Sequence, residues 1–158
     1  MHLKNYIKAV ENFPLEGITY RDIQPLLENE FAFKEAISEL RTLTVQPDYW
    51  VGIDSRGFIF ASALSMRFGG GLKLIRKQGK LPKVNLHKIS YGLEYGEDVI
   101  EMQEGTGTVV IVDDVYATGG TMTAAKTLCE RAGYKVLDSI CLLDVGLVKH
   151  DTRCAIYY

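Results

Sequence analysis

Val109-Val110-Ile111-Val112-Asp113-Asp114-Val115-Tyr116-Ala117-Thr118-Gly119-Gly120-Thr121 is the stretch on which the reading of this chain turns. The four apolar residues that open it form a short run suited to a strand buried on both faces. Two carboxylates close the run, a hydroxyl- and glycine-rich turn follows, and a helix is expected from Thr121 to Arg131. Such a turn aims several backbone N–H groups and the hydroxyls of Thr118 and Thr121 at one anion, with the positive end of a helix dipole behind it. A phosphate fits there. The adjacent carboxylates would repel it, so Asp113 and Asp114 serve sugar hydroxyls or a metal carried by the substrate. A ribose 5-phosphate meets both demands. The GxxxxGK[ST] pattern is absent, so this is no Walker loop.

Outward from that stretch, apolar runs alternate with helical spacing. Tyr49-Trp50-Val51-Gly52-Ile53 and Leu72-Lys73-Leu74-Ile75 read as strands, with a helix from Phe58 to Phe68 between them. Lys135 to Leu143 reads as another strand. This alternation predicts an α/β fold, a parallel sheet with helices on both faces. Apolar periodicity predicts helices over Leu3 to Val10 and Phe31 to Leu43. Residues 78–104 are polar without helical period, and a stretch of this length inside a compact chain reads as a flexible flap.

Other polar clusters belong beside the first. Asp54-Ser55-Arg56-Gly57 also follows an apolar strand, and ligands of open parallel sheets bind outside such carboxyl ends. Arg76-Lys77-Gln78-Gly79-Lys80 supplies three cations within five residues, enough to stabilise a leaving pyrophosphate. Alone, either cluster would be read as a solvated turn; the first motif shifts that balance. Ser90-Tyr91-Gly92-Leu93-Glu94-Tyr95-Gly96 suits a flap that closes over reacting groups and excludes water. Glu94 is its candidate for proton handling.

Composition sets the outer bounds. The 158 residues, 47% hydrophobic and 24% charged, fit one soluble domain spanning 1–158. A net charge of -2 gives no basic footprint for nucleic acid, and no apolar run reaches membrane-span length. The start carries no secretory-signal layout, so a cytoplasmic protein is expected. Cys129, Cys141 and Cys154 lack metal-type spacing and read as reduced, structural thiols.

Together the segments resemble the type I phosphoribosyltransferases, and within them the adenine phosphoribosyltransferase family, over nearly the whole chain. Gly17-Ile18-Thr19-Tyr20-Arg21-Asp22 is similar to that family's hood motif, which places a small hood at about residues 1–30 and the flap at about 78–104. The resemblance implies transfer of a phosphoribosyl group to adenine, giving AMP in purine salvage. It implies that Asp113 and Asp114 hold ribose and that Ala117, Thr118, Gly119, Gly120 and Thr121 hold its 5′-phosphate. Ser55, Arg56, Arg76, Lys77 and Lys80 would contact pyrophosphate, Glu94 would be the catalytic acid/base, and Tyr95 would help close the flap. Thr19, Tyr20 and Arg21 would bind the purine, with Val145 on its other face. The family's acidic-apolar pair after the last predicted strand is here Asp144-Val145, a shorter acid and a smaller lid, and the closing segment is abbreviated at Ala155 to Tyr158. Mg2+ would arrive with the substrate and a homodimer is implied. Another purine as acceptor, or a non-catalytic nucleotide sensor, are the alternatives.

Overall fold

The computed structural model of the protein describes residues 1–93 and 96–158. Met1–Glu39 and Leu40–Tyr158 form two compact units. In the first, a 3₁₀ turn, Leu3–Tyr6, leads into β1, Lys8–Glu11, which pairs antiparallel with β2, Thr19–Asp22. The helix expected over residues 3–10 is therefore replaced by a turn and a strand. Of its apolar positions only Leu3 is buried, so the helical period had no continuous stripe to bury, and pairing with β2 prevailed. α1, Gln24–Glu28, and α2, Glu30–Thr42, follow. Asn29 Oδ1 accepts the Ala32 N–H at 2.9 Å, satisfying an otherwise orphaned donor at the start of α2, and Ala32, Ala36 and Ile37 make its buried face.

The second unit is built on a mixed sheet. Its strands are β3, Tyr49–Ile53; β4, Gly71–Lys77; β5, Leu86–Leu93; β6, Gly96–Gln103; β7, Thr108–Tyr116; β8, Lys135–Asp144; and β9, Arg153–Tyr157. Their spatial order is β5-β6-β4-β3-β7-β8-β9, parallel from β4 to β9 and antiparallel where the β5–β6 hairpin joins β4. α3, Gly57–Phe68, connects β3 to β4, and α4, Gly120–Arg131, connects β7 to β8. These connections step outward in opposite directions from the central β3–β7 pair. Right-handed crossovers consequently put the two helices on opposite faces. Val51, Ile53, Val109 and Ile111 pack with Ala125 and Leu128 of α4, while Gly52 turns toward Ala61 of α3. A Cβ on Gly52 would lie 3.1 Å from the Ala61 Cβ, so glycine allows α3 to lie close on the strand.

Three boundaries differ from the sequence reading. β7 continues beyond Val112 because β8 still pairs with it at Val115↔Leu143 and Tyr116↔Asp144, which puts Asp113 and Asp114 within the strand. Within residues 78–104 lies the β5–β6 hairpin, whose register runs from Leu86↔Gln103 to Leu93↔Gly96. β9, unforeseen from the sequence, adds a parallel edge through Cys141↔Cys154. All three cysteines are buried free thiols, and burial pushes Cys129 up to about 12, as expected for structural rather than reactive sulfur.

Candidate active site

Between β3 and β7 the connections diverge, and a crevice opens beyond the carboxyl ends of the two strands, where open α/β sheets bind ligands. The geometry there depends on Gly57. A Cβ at this position would lie 2.7 Å from the Val112 carbonyl oxygen and 3.1 Å from Asp113 Oδ1, so only glycine lets the start of α3 press against β7. Arg56 is thereby carried to Asp114, with Nε 2.6 Å from Oδ2. The contact is one of charge, since no hydrogen bond to that buried oxygen has adequate angles. Asp113 Oδ1 accepts the Asp114 N–H at 2.9 Å. Burial holds the Asp113 carboxyl well above the usual carboxylate range; the neighbouring Asp114 charge adds to this, and Arg56 offsets part of it. The crevice thus presents one carboxylate paired with Arg56 and a second carboxyl whose proton is held more tightly than in water.

Beyond the acids the chain wraps round the Tyr116 ring. Asp113, Val115, Tyr116, Ala117, Thr118, Gly119, Thr121 and Met122 line a cleft of about 70 Å³ at the N-terminus of α4. Gly119 has φ 91°, and a Cβ there would collide with the Tyr116 hydroxyl, so the turn needs glycine on both counts. The first helical N–H groups face this cleft without intrahelical partners, the arrangement that receives an anion.

The predicted pyrophosphate residues flank the same edge of the sheet. Ser55 is exposed beyond β3. Arg76 and Lys77 end β4, where Asp54 Oδ2 lies 3.5 Å from Arg76 Nε and accepts the Lys77 N–H at 3.3 Å. The Arg76 guanidinium also sits 5.9 Å from the centre of the Phe58 ring. Lys77 Nζ donates to Asp98 Oδ2 at 3.1 Å, and this hydrogen bond is the main reason its ammonium is held above the ordinary lysine range. Lys80 is exposed in the following turn.

Other expected residues fall elsewhere. Thr19, Tyr20 and Arg21 lie on β2 of the first unit, where Tyr20 packs edge-on against Phe13 at 5.1 Å between ring centres. Val145 follows β8 and donates its N–H to the Tyr116 carbonyl at 3.1 Å, which sets it beside the phosphate turn. Glu94 and Tyr95 lie outside the described residues.

Several supporting residues were not foreseen. Glu101, 5% exposed, accepts the Gly79 N–H at 2.7 Å and braces the cationic turn from β6. The Tyr91 hydroxyl accepts from Thr121 Oγ1 and donates to Asp98 Oδ2, both at 3.3 Å, joining the hairpin to the start of α4. His150 pairs with Asp144 behind Tyr116. The period-two pattern Lys88-Ile89-Ser90-Tyr91 was the available signal for the hairpin; the cross-sheet contacts had none.

The phosphoribosyl transferase domain family matches residues 20–152 of the chain. Adenine phosphoribosyltransferase of Hydrogenovibrio crunogenus is 49% identical over 147 residues, covering 90% of this chain and 85% of its own. The chain belongs to the adenine phosphoribosyltransferase family. Among solved members, the enzyme of Rhodothermus marinus superposes with a TM-score of 0.87 at 36% identity, covering 99% of this chain and 96% of that one. The adenine phosphoribosyltransferase of Saccharomyces cerevisiae, solved with an imino-altritol bisphosphate and adenine, gives 0.86 at 34% identity, covering 96% and 94% respectively.

Proposed function

We propose that the protein transfers the phosphoribosyl group of phosphoribosyl pyrophosphate to N9 of adenine, forming AMP and releasing pyrophosphate. The observation that carries this reading is the β3–β7 crevice, where an anion-binding turn, two acids and several cations share one edge. Asp113 and Asp114 accept hydrogen bonds from the ribose hydroxyls, and the N–H groups and hydroxyls of residues 117–121 hold the 5′-phosphate. Ser55, Arg56, Arg76, Lys77 and Lys80 gather round pyrophosphate and offset the charge that grows on it as the bond to ribose C1 breaks. Glu94 exchanges the proton at the purine, and Tyr95 helps exclude water. Thr19, Tyr20 and Arg21 recognise adenine in this reading, and Val145 is a further purine-binding residue.

Among the described residues, no group of three or more His, Cys, Asp or Glu could hold a metal ion. Mg2+ would arrive with the substrate, because this ion keeps several waters and binds through phosphate oxygens plus one or two carboxylates. Asp113 and Asp114 are the carboxylates that would meet it. When bound, the ion neutralises pyrophosphate charge that the side chains leave uncompensated. No helix among the described residues is long and apolar enough to cross a membrane. The same reading makes the protein a cytoplasmic homodimer, and sedimentation velocity checks the assembly.

Purified protein with phosphoribosyl pyrophosphate, Mg2+ and each of adenine, hypoxanthine, guanine and xanthine tests the assignment. The expected result is base-dependent pyrophosphate release with kcat/KM for adenine at least about a hundredfold above the 6-oxopurines, since a site that hydrogen-bonds one base edge leaves polar groups unpaired with the others. No AMP from adenine would sink the proposal.

A further inference from the structure

His150 lies in the connection between β8 and β9, at the same edge of the sheet as the phosphate turn, yet it is none of the residues that hold ribose, phosphate or base. Its side chain is 7% exposed. Nε2 is 3.0 Å from Asp144 Oδ2, so the carboxylate selects the tautomer with its proton on Nε2. Asp144 is itself fixed: its Oδ1 accepts the Gly146 N–H at 2.8 Å and its carbonyl accepts the Tyr158 N–H at 3.0 Å. The imidazole stacks on Tyr116 with ring centres 3.6 Å apart and planes inclined by 23°. Tyr116 is 8% exposed, and its hydroxyl is the group that a Cβ on Gly119 would strike. A continuous column of contacts runs from the end of β8 through Asp144, His150 and Tyr116 into the turn that lines the 70 Å³ cleft. The remaining polar atom of the ring, Nδ1, is buried without a hydrogen-bond partner among the described residues. The nearby charges on Asp151 and Lys126 pair with each other at 3.4 Å. Held at one nitrogen by Asp144, the ring presents its flat face to Tyr116.

We infer that His150 is a positioning residue for phosphoribosyl binding: held by Asp144, its ring backs Tyr116 and fixes the shape of the 117–119 turn that receives the 5′-phosphate. This rests on the proposed function for the identity of the ligand. The 5′-phosphate does not change during transfer, so the support it receives is common to ground and transition states. Losing that support raises the KM for phosphoribosyl pyrophosphate and leaves kcat and the KM for adenine in place.

The test titrates ribose 5-phosphate into wild-type, His150→Ala, His150→Phe and His150→Asn protein by calorimetry, alongside steady-state kinetics with adenine. His150→Ala should weaken ribose 5-phosphate and raise the KM for phosphoribosyl pyrophosphate about three- to tenfold, the range for losing one stacked aromatic contact. His150→Phe, which keeps a ring against Tyr116, should return both to within about twofold of wild type. His150→Asn, which keeps a donor for Asp144 but no ring, should not. Tyr116→Leu removes the other half of the stack and should give the same split if His150→Ala does not fold. Unchanged ribose 5-phosphate affinity in the Ala and Leu variants, or equal rescue by Asn and Phe, overturns the inference. Loss of thermal stability with no change in affinity also overturns it. Because calorimetry does not depend on turnover, a wild-type protein that binds ribose 5-phosphate but makes no AMP counts against the proposed function alone.

Discussion

The two anion-handling regions of the crevice are built in opposite ways. The phosphate turn after β7 rests on buried groups: Asp114, Tyr116 and the His150 side chain are 6%, 8% and 7% exposed. The cationic segment at the end of β4 includes Lys77, whose side chain is 55% exposed and whose partner Asp98 stands on the β5–β6 hairpin. Buried contacts fix geometry before a ligand arrives, whereas an exposed ion pair exchanges partners at little cost. The difference matches the chemistry proposed for each region. The 5′-phosphate stays in place through the reaction, so a preformed cradle suits it. Pyrophosphate must be bound, charged further and released, and that calls for cations able to change partners.

The sharpest way to break this comparison is Asp114→Ala. The substitution removes a proposed ribose ligand and leaves Arg56 without the carboxylate 2.6 Å away. The expected loss in kcat/KM is about a hundred- to a thousandfold, comparable to deleting one preorganised group from an active site. Stability should fall by about 2 kcal/mol, below the cost of breaking a fully buried pair because the Arg56 side chain is 34% exposed. Urea unfolding beside steady-state kinetics measures both. An activity loss below tenfold would show that the turn, without the acids, carries ribose binding.

Gly119→Ala comes next. At φ 91° the added methyl is strained and also meets the Tyr116 hydroxyl, so the turn must open or the ring must move. We expect a loss of about 1–3 kcal/mol in stability and a KM for phosphoribosyl pyrophosphate raised about tenfold, with kcat changed less. The matching substitution in the other region, Lys80→Ala in an exposed turn, should leave stability within about 0.5 kcal/mol of wild type.

The same division governs what could be read from the sequence. β3 and α3 were legible because Tyr49–Ile53 is a bounded apolar run and a polar turn separates it from a helix-length stretch, Phe58 to Phe68. The acids and the phosphate turn were legible because their chemistry is local in the chain. β1 was not, since a helical period at Leu3, Tyr6, Ile7 and Val10 carries no information about the partner strand that overrides it. β9 was not, because its pairing depends on β8 rather than on its own five residues. Asp98, Glu101 and His150 act on residues 21, 22 and 34 positions away along the chain, at Lys77, Gly79 and Tyr116 respectively, and one-dimensional spacing does not encode such contacts.

A third prediction concerns Asp113 and pH. The folded, ligand-free protein binds the Asp113 proton more tightly than the unfolded chain does, because burial and the Asp114 charge raise its carboxyl well above the usual range. With more protons bound in the folded state, stability falls as pH rises from the ordinary carboxylate range through the raised value. Asp113→Asn removes that dependence. Above the raised value it should unfold at higher urea than wild type, while below the ordinary carboxylate range the two should converge. Binding of ribose 5-phosphate should be weakened above the raised value, where an amide with one acceptor oxygen replaces a carboxylate with two, and the difference should narrow below it. Equal urea midpoints across the pH range would mean that Asp113 ionises as readily in the folded chain as in the unfolded one.

The smallest effect is expected from Asp98→Asn, and it is the one that tests the exposed half of the comparison. The Lys77–Asp98 pair is too solvated to contribute more than about 1 kcal/mol, so the urea midpoint should barely move. Function should change in the direction opposite to the earlier variants. Released from the Asp98 carboxylate, the Lys77 ammonium is available to an incoming anion, and the KM for phosphoribosyl pyrophosphate should fall by up to about threefold at low salt, the difference fading as salt screens the charges. The Tyr91 hydroxyl still finds an oxygen acceptor on the amide that replaces the carboxylate and keeps its link to Thr121, so the hairpin's junction with α4 should remain. A KM that rises, or a stability loss above about 2 kcal/mol, would mean that the hairpin pair is a fixed strut rather than an exchangeable contact. The cationic segment would then be as preformed as the phosphate turn, and release of pyrophosphate would have to come from movement of the chain rather than from exchange of partners at Lys77.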